Sequence, residues 1–448
     1  MELNRRSVIR GIGAASATLV FAGLASADDG RARYIVRTNG NGADVESAGF
    51  DVLNELAGGD VLLVAGPDDA AETLETADGV AAALRDLELE LEPVLEDEHD
   101  EIPDDPDDVY DTLLWDKQVQ EVREAQEHAT GDGTTVAIID TGVAEHPDLS
   151  TLDTDASATI IDGEIVDHQG DPNGHGTHVA GTAAATGDVL MTGTAPDATI
   201  VSVDVLGYGT GSFGDIMLGM EHAADVGADA ANISLGFMMA PQDFADFDDN
   251  VGLYRQMFEP VANYGRREGT LYVGSAGNDD TDLQGGWLRL WNGLSGVIGV
   301  SATGPNDKLS FYSNWGRNDV DVGAPGGGYE TEEKTVDPGT EWPHPLNLVF
   351  STYISDEDDE NNENGNGNGN NRNNNDAEDD PAYAWLAGTS MAAPQVTGIA
   401  ALVRELDPDA NTQQVLDAIR KGAEVADNRG DPELGAGRVN ALNTVERF

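Results

Sequence analysis

Cysteine is absent from the 448 residues of the chain. Its absence excludes a disulfide framework, thiol nucleophiles and cysteine-held metal. Basic side chains are scarce: 23 lysines and arginines stand against 84 aspartates and glutamates, for a formal net charge of −61. Only Lys117, Lys308, Lys334 and Lys421 are lysines. A surface of that sign excludes nucleic acid and anionic membranes as partners. No apolar run is long enough to cross a bilayer, so no stable membrane anchor is expected. What remains is ordered: short apolar segments alternate with the acidic ones, as in a folded protein with a solvated acidic shell rather than a disordered chain. Such a shell suits concentrated salt, where a Debye length of about 3 Å at 1 M screens the self-repulsion.

The N-terminus reads Asn4-Arg5-Arg6-Ser7-Val8-Ile9-Arg10, then a mildly apolar stretch from Gly11 to Ala25, then small residues at Ala25-Ser26-Ala27. Residues 1–27 are therefore expected to be a twin-arginine export signal, leaving a secreted, extracellular product. Residues 28–98 form a small α+β unit, with strands expected at Tyr34–Arg37 and Asp60–Ala65 and helices at Asp44–Ala57 and Ala70–Leu84. In its last strand Leu87, Leu89 and Leu91 alternate with glutamates. Residues 99–112 are an acidic, proline-containing linker and processing region. Residues 113–448 form the large domain, interrupted at 355–380 by an acidic Asn/Gly tract too poor in apolar residues to fold.

Three stretches of the large domain carry chemistry. In Leu386–Pro394, Ser390 stands just before an apolar run, Met391 to Leu402, that reads as a buried helix with Pro394 in its first turn. A serine there lies beside unpaired N–H groups that stabilise an oxyanion, although a plain cap serine has the same pattern. In Thr134–Val143 the apolar run Val136–Ile139 reads as a parallel strand buried on both faces, ending at Asp140. A carboxylate at that edge sits where open α/β sheets build their sites; a turn-capping Asp fits the position as well. In Asn173–Thr182, His175 and His178 have helical spacing, as metal ligands would, but lack the glutamate of the zinc-protease arrangement. His175 suits a general base, histidine being the side chain type whose charge changes near neutral pH.

Together these stretches resemble the motifs of the subtilisin-like serine proteases, the subtilases, in that family's order of Asp, His and Ser; α/β-hydrolases run Ser, acid, His. The resemblance extends from about residue 115 to the C-terminus. It implies a subtilisin-like fold, a doubly wound parallel α/β/α sandwich, with residues 28–98 as a ferredoxin-like propeptide that assists folding and inhibits. It implies a catalytic triad of Asp140, His175 and Ser390, and an oxyanion hole of the Ser390 N–H and the Asn278 amide. By the same resemblance Gly209, Thr210 and Gly211 are the edge strand that pairs with substrate, and Ser234, Leu235 and Gly236 line the pocket for the residue before the scissile bond. Asp148 and Asp188 are expected to hold a structural Ca²⁺, and no cofactor is expected for catalysis. The implied protein is a secreted, monomeric serine endopeptidase made as a zymogen and acting on proteins and peptides, in character like the halophilic halolysins.

Overall fold

The computed structural model describes residues 18–27, 30–40, 43–68, 70–91, 102–103, 105–206, 210–239, 251–285, 288–289, 291–354, 381–425 and 430–448. Arg5 and Arg6, Gly209 and the tract 355–380 lie outside the described residues.

The small N-terminal unit is a four-stranded antiparallel sheet of β1 (Ala32–Thr38), β2 (Asp51–Leu56), β3 (Val61–Gly66) and β4 (Val80–Arg85), in the order β2-β3-β1-β4. The order is that of a ferredoxin-like sheet with its two crossover helices reduced to Glu46–Ala48, a single 3₁₀ turn, and Ala71–Glu75. Both longer helices expected from the sequence are therefore corrected. Asp44–Ala57 stops being helical at Gly49, which is left-handed with φ 91°, and continues as β2. Along β2, exposed and half-buried residues alternate with period two. Ala70–Leu84 reverses at Gly79, with φ 88°, and becomes β4. Leu, Ala and Glu favour helix locally, but pairing with β3 and β1 outweighs a preference of a few tenths of a kcal/mol per residue.

The large domain is built on an eight-stranded sheet. Its strands are β5 (Thr135–Asp140), β6 (Ala158–Ile161), β7 (Glu164–Asp167), β8 (Thr199–Asp204), β9 (Ala230–Ile233), β10 (Leu271–Ser275), β11 (Val297–Thr303) and β12 (Val322–Pro325). The order is β12-β11-β10-β9-β5-β8-β6-β7, parallel throughout except for the β6–β7 hairpin at the edge. Strand β5 shows why the apolar run is continuous. Val136 and Ile138 enter one core, with the helices α1 (His175–Ala184) and α4 (Thr389–Leu406); Ala137 and Ile139 enter the other, with α2 (Phe213–Asp225) and α3 (Val251–Glu268). Each buried Val or Ile contributes about 1.5–3 kcal/mol. The helices on the two faces thus meet the C-terminal strand ends, where Asp140 lies.

The small unit sits on α2 and α3. Ile35, Leu56, Leu63 and Leu84 share one buried cluster with Phe213, Met217, Tyr254 and Phe258. The Ala57 N–H donates to Glu221 Oε2 at 2.7 Å, and the Tyr254 hydroxyl donates to the Arg85 carbonyl at 2.9 Å. The strand Leu87–Leu91 leaves the small unit and pairs antiparallel with Thr210–Ser212. Thr18–Leu24 pairs with Leu87–Leu91 on one side and with Gly236–Met239 on the other.

Candidate active site

Strand β5 ends at Asp140, which is buried. Its Oδ1 accepts the Thr141 N–H at 2.8 Å and a bond from His175 Nδ1 at 2.6 Å. His175 opens α1 after Gly174, whose φ of 92° breaks the chain into the helix. Close backbone approach explains the glycines around it: a Cβ on Gly176 would stand 2.0 Å from the Gly142 carbonyl oxygen.

The link between the two segments is Asp171, a buried carboxylate. Its Oδ1 accepts from the Thr141 hydroxyl and the Asn173 and Gly174 N–H groups, each at 2.9 Å, and its Oδ2 accepts from the Thr177 N–H and hydroxyl at 2.9 and 2.7 Å. Thr141 Oγ1 in turn accepts the Gly176 N–H at 2.9 Å. Burial pushes the Asp171 carboxyl up and these donors oppose it. The loop bearing Asp140 and the helix bearing His175 are therefore stapled to one side chain.

The second histidine is not part of the chemistry. His178 is fully buried, with Nε2 shared between the Val349 and Ala384 carbonyls at 3.1 and 3.2 Å. Burial, and secondarily the nearby His175, push its pKa down to about 3. It stays a neutral tie to the hairpin of Val349–Tyr353 and Ala382–Leu386.

Ser390 is the second residue of α4 and is buried. Its hydroxyl donates to the Ser234 carbonyl at 2.9 Å, and the Ser234 hydroxyl donates back to the Ser390 carbonyl at 2.8 Å. Pro394 explains the return bond. It lies in the second turn of α4 rather than the first, and without an N–H it leaves the carbonyl four residues earlier, that of Ser390, for an outside donor. The Asn232 amide, donating to Ser234 Oγ at 2.8 Å, orients that donor. His175 Nε2 is buried and has no hydrogen-bond partner. Hydrogen bonds therefore join Asp140 to His175, while the Ser390 hydroxyl points at Ser234.

Asn278 follows β10 through Gly277, which has φ 96°. Its Oδ1 accepts from the Thr389 N–H at 2.8 Å and the Thr389 hydroxyl at 3.0 Å. Two donors on the oxygen settle which way the amide faces, and Nδ2 is left buried and unpaired beside the start of α4. At the start of α4 the Thr389 N–H is spent on Asn278 Oδ1 and the Met391 N–H on the Gly388 carbonyl, and the Ser390 N–H lies between them.

The residues expected to grip substrate are placed as follows. Thr210 and Gly211 lie in Thr210–Ser212, and Ser234 and Leu235 are buried after β9, with Gly236 opening Gly236–Met239. Both edges are covered by N-terminal strands.

The two aspartates expected to hold Ca²⁺ are engaged in hydrogen bonds of the loop itself. The Asp148 carboxylate accepts N–H groups from Val189 at 2.6 Å, Leu190 at 3.1 Å and Met191 at 2.9 Å, and the Tyr383 hydroxyl at 2.7 Å. Asp188 Oδ2 accepts hydroxyls from Ser150 and Thr186, at 2.8 and 2.9 Å. A Ca²⁺ ion needs six to eight oxygen ligands, whereas here the loop turns donors, not carbonyls, toward Asp148. The residues do not fit the ion; the carboxylate itself closes the loop. Among the described residues no three His, Asp or Glu side chains gather as a metal site. Replacing millimolar Ca²⁺ by EGTA at constant ionic strength should therefore move the melting midpoints of wild type and Asp148→Ala by the same amount. The substitution alone should cost about 3 kcal/mol in urea unfolding, because it leaves several donors unpaired. A Ca²⁺ response present in wild type and lost in Asp148→Ala would restore the ion.

Sequence reasoning passed over Asp171, Thr389 and Lys117. Lys117 is fully buried; its Nζ donates to Gln395 Oε1 of α4 at 2.6 Å and to the Thr182 carbonyl of α1 at 2.9 Å, and it pairs with Asp116 at 3.0 Å. It fastens together the two helices that carry His175 and Ser390. One signal was present: a lysine is costly to bury, and this chain has only four. Asp171 gave none, being one acid among 84.

Residues 131–437 match the model of the subtilase family of peptidases. The chain is 32% identical over 315 residues to M-protease of Shouchella clausii, covering 70% of this chain and 64% of that protein. Subtilisin Savinase of Lederbergia lenta is 32% identical, with 70% of this chain and 90% of that one covered. Thermitase of Thermoactinomyces vulgaris is 30% identical over 351 residues, covering 77% of this chain and 99% of thermitase. Among solved structures, a lanthipeptide protease superposes with a TM-score of 0.60 at 28% identity, covering 75% of this chain and 95% of that one. The epidermin leader peptide processing protease of Staphylococcus aureus gives a TM-score of 0.70 over 93% of this chain and 98% of its own, a likeness of fold at 19% identity.

Proposed function

The chain belongs to the subtilase family, and from that premise we propose that it is a serine endopeptidase acting through Asp140, His175 and Ser390. The observation that carries the reading is the 2.6 Å bond of Asp140 to His175 Nδ1, which leaves Nε2 as the one basic atom of a buried imidazole. Rotation of the Ser390 hydroxyl from the Ser234 carbonyl toward Nε2 gives the nucleophile its base. Ser390 Oγ then attacks the peptide carbonyl as Nε2 takes its proton. Asp140 holds the tautomer and stabilises the imidazolium, and Nε2 returns the proton to the leaving amine. Water repeats the sequence on the acyl-enzyme. Asn278 Nδ2 and the Ser390 N–H receive the oxyanion in both halves. Substrate pairs as a strand with Thr210 and Gly211 and with the segment from Ser234 to Gly236, a mode that reads backbone more than side chain. Mass spectrometry of casein fragments, wild type beside Ser390→Ala, tests the reading. Cleavage by wild type alone supports it, and equal cleavage by both removes it.

The same reading makes residues 1–27 an export signal and residues 28–98 a propeptide, so that a secreted zymogen matures by cutting in 99–112. Support comes from the pairing of Leu87–Leu91 with Thr210–Ser212, which keeps a substrate strand from that edge. No described helix is long and apolar enough to cross a membrane.

The excess of 84 acids over 23 bases supports activity in concentrated salt. Moving the protein from about 3 M to 0.1 M KCl lengthens the Debye length from under 3 Å to about 10 Å. Unscreened repulsion should then abolish both activity and near-UV circular dichroism together. Equal stability in the two buffers would remove the salt adaptation and leave the peptidase reading intact.

A further inference from the structure

One cation is buried where three segments of the molecule converge. Arg33, on β1 of the small unit, is 1% exposed. Its Nη2 lies 3.0 Å from Asp86 Oδ2 of its own unit and 2.9 Å from Asp215 Oδ1 of α2, with Nη1 3.3 Å from Asp215 Oδ2. Nη2 also donates to the Ser212 hydroxyl at 3.1 Å, and Asp162, in the β6–β7 turn, stands 3.9 Å from Nη1.

The large domain is shaped to receive this group. Ser212 caps α2, donating its hydroxyl to Asp215 Oδ2 at 2.7 Å while accepting the Asp215 N–H at 3.1 Å. The Gly163 N–H donates to Asp215 Oδ1 at 2.8 Å. Gly214 provides the floor: its N–H donates to Asp86 Oδ1 at 3.0 Å, and a Cβ there would lie 2.7 Å from Asp86 Oδ2 and 2.9 Å from Arg33 Nη2. Burial opposes the Arg33 charge, but Asp86 and Asp215 hold its pKa above the ordinary value.

We propose that Asp215, Ser212, Gly214 and the Asp162–Gly163 turn form a guanidinium-binding exosite on the large domain, and that Arg33 filling it is what makes the small unit recognise this domain. The proposal rests on the reading of residues 28–98 as a removable propeptide. Three features favour arginine over lysine. The planar fork meets two carboxylates and a hydroxyl at once, burial favours the weakly hydrated guanidinium, and the glycine floor leaves room for its edge. The apolar face shared with α2 and α3 supplies area, whereas the exosite supplies register, since an unpaired Asp215 or Arg33 at this depth is strongly disfavoured. Being buried, the pair is weakened much less than surface pairs by salt.

The test uses the full chain carrying Ser390→Ala, with a site for a sequence-specific protease placed in the linker. After one cut, retention of the small unit is measured by gel filtration and by dilution, a readout independent of peptidase activity. Arg33→Ala should weaken retention on the order of 100-fold, Arg33→Lys should fall between, and Arg33→Asp joined with Asp215→Arg should hold better than either single change. Gly214→Ala, which leaves every charge in place, should also release the unit. It decides the matter if circular dichroism shows the Arg33 variants unfolded. Retention within about threefold of the parent in Arg33→Ala and Gly214→Ala, or a charge swap no better than its single changes, would overturn the exosite. Neither result bears on whether Ser390 cuts peptides.

Discussion

Replacing His175 by alanine is expected to lower kcat by about a million-fold while KM stays near its wild-type value, the magnitude established for the triad of subtilisin. The expected loss follows from the proposed roles. Asp140 is bound to Nδ1, Nε2 is the free basic atom, and the Ser390 hydroxyl otherwise rests on the Ser234 carbonyl, which accepts a hydrogen bond but cannot take the proton away. Without the imidazole, the hydroxyl must ionise against an ordinary alcohol pKa. Asp140 loses its partner in the same substitution, so the melting midpoint is measured alongside. Burst titration with a serine-directed phosphonate separates the two effects: a folded His175→Ala protein should acylate immeasurably slowly. A folded variant keeping more than about 1% of wild-type turnover would end the assignment of His175 as base.

The second large effect belongs to Asn278. Asn278→Ala should reduce kcat by about 10²–10³ with little change in KM, because the amide meets the oxyanion only as charge develops. Its Nδ2 is buried and unpaired, and the two Thr389 donors on Oδ1 prevent the amide from flipping. Steady-state kinetics at saturating and at limiting peptide separate the parameters. Turnover within a few-fold of wild type would refute an oxyanion role, while an equal loss carried wholly by KM would make Asn278 a substrate-binding residue.

The reliable parts of the sequence reading were those in which a local pattern and its chemistry coincide. The continuous apolar run Val136–Ile139 reads as a strand buried on two faces, and the structure places Asp140 at its end. Ser390 before an apolar helix, and His175 between glycines, were legible for the same reason. The two long helices of the small unit were misread, while its strands at Tyr34–Arg37 and Asp60–Ala65 were legible, because Leu, Ala and Glu report helix preference, whereas Gly49, Gly58, Gly59 and Gly79 turn the chain back into pairing strands. The fit of Ca²⁺ at Asp148 turns on an orientation. Whether the loop at 186–192 shows Asp148 its carbonyls or its N–H groups is a property of backbone torsions, not of residue type.

What the sequence determined alone was the inventory: an acid-rich chain without thiols, a parallel α/β sheet, and three reactive side chains in a fixed order. The composition and the buried strand are local patterns; the full sheet and the three side chains were read from motifs that resemble those of the subtilases. Only the tertiary structure decided which acids matter. Asp171 staples the Asp140 loop to the His175 helix, Asp148 seals a loop, and Asp215 receives Arg33, yet in the chain all three are aspartates among 84 acids. The physical reason is that a carboxylate's role depends on the donors that burial places around it, and those donors come from segments up to 235 residues away.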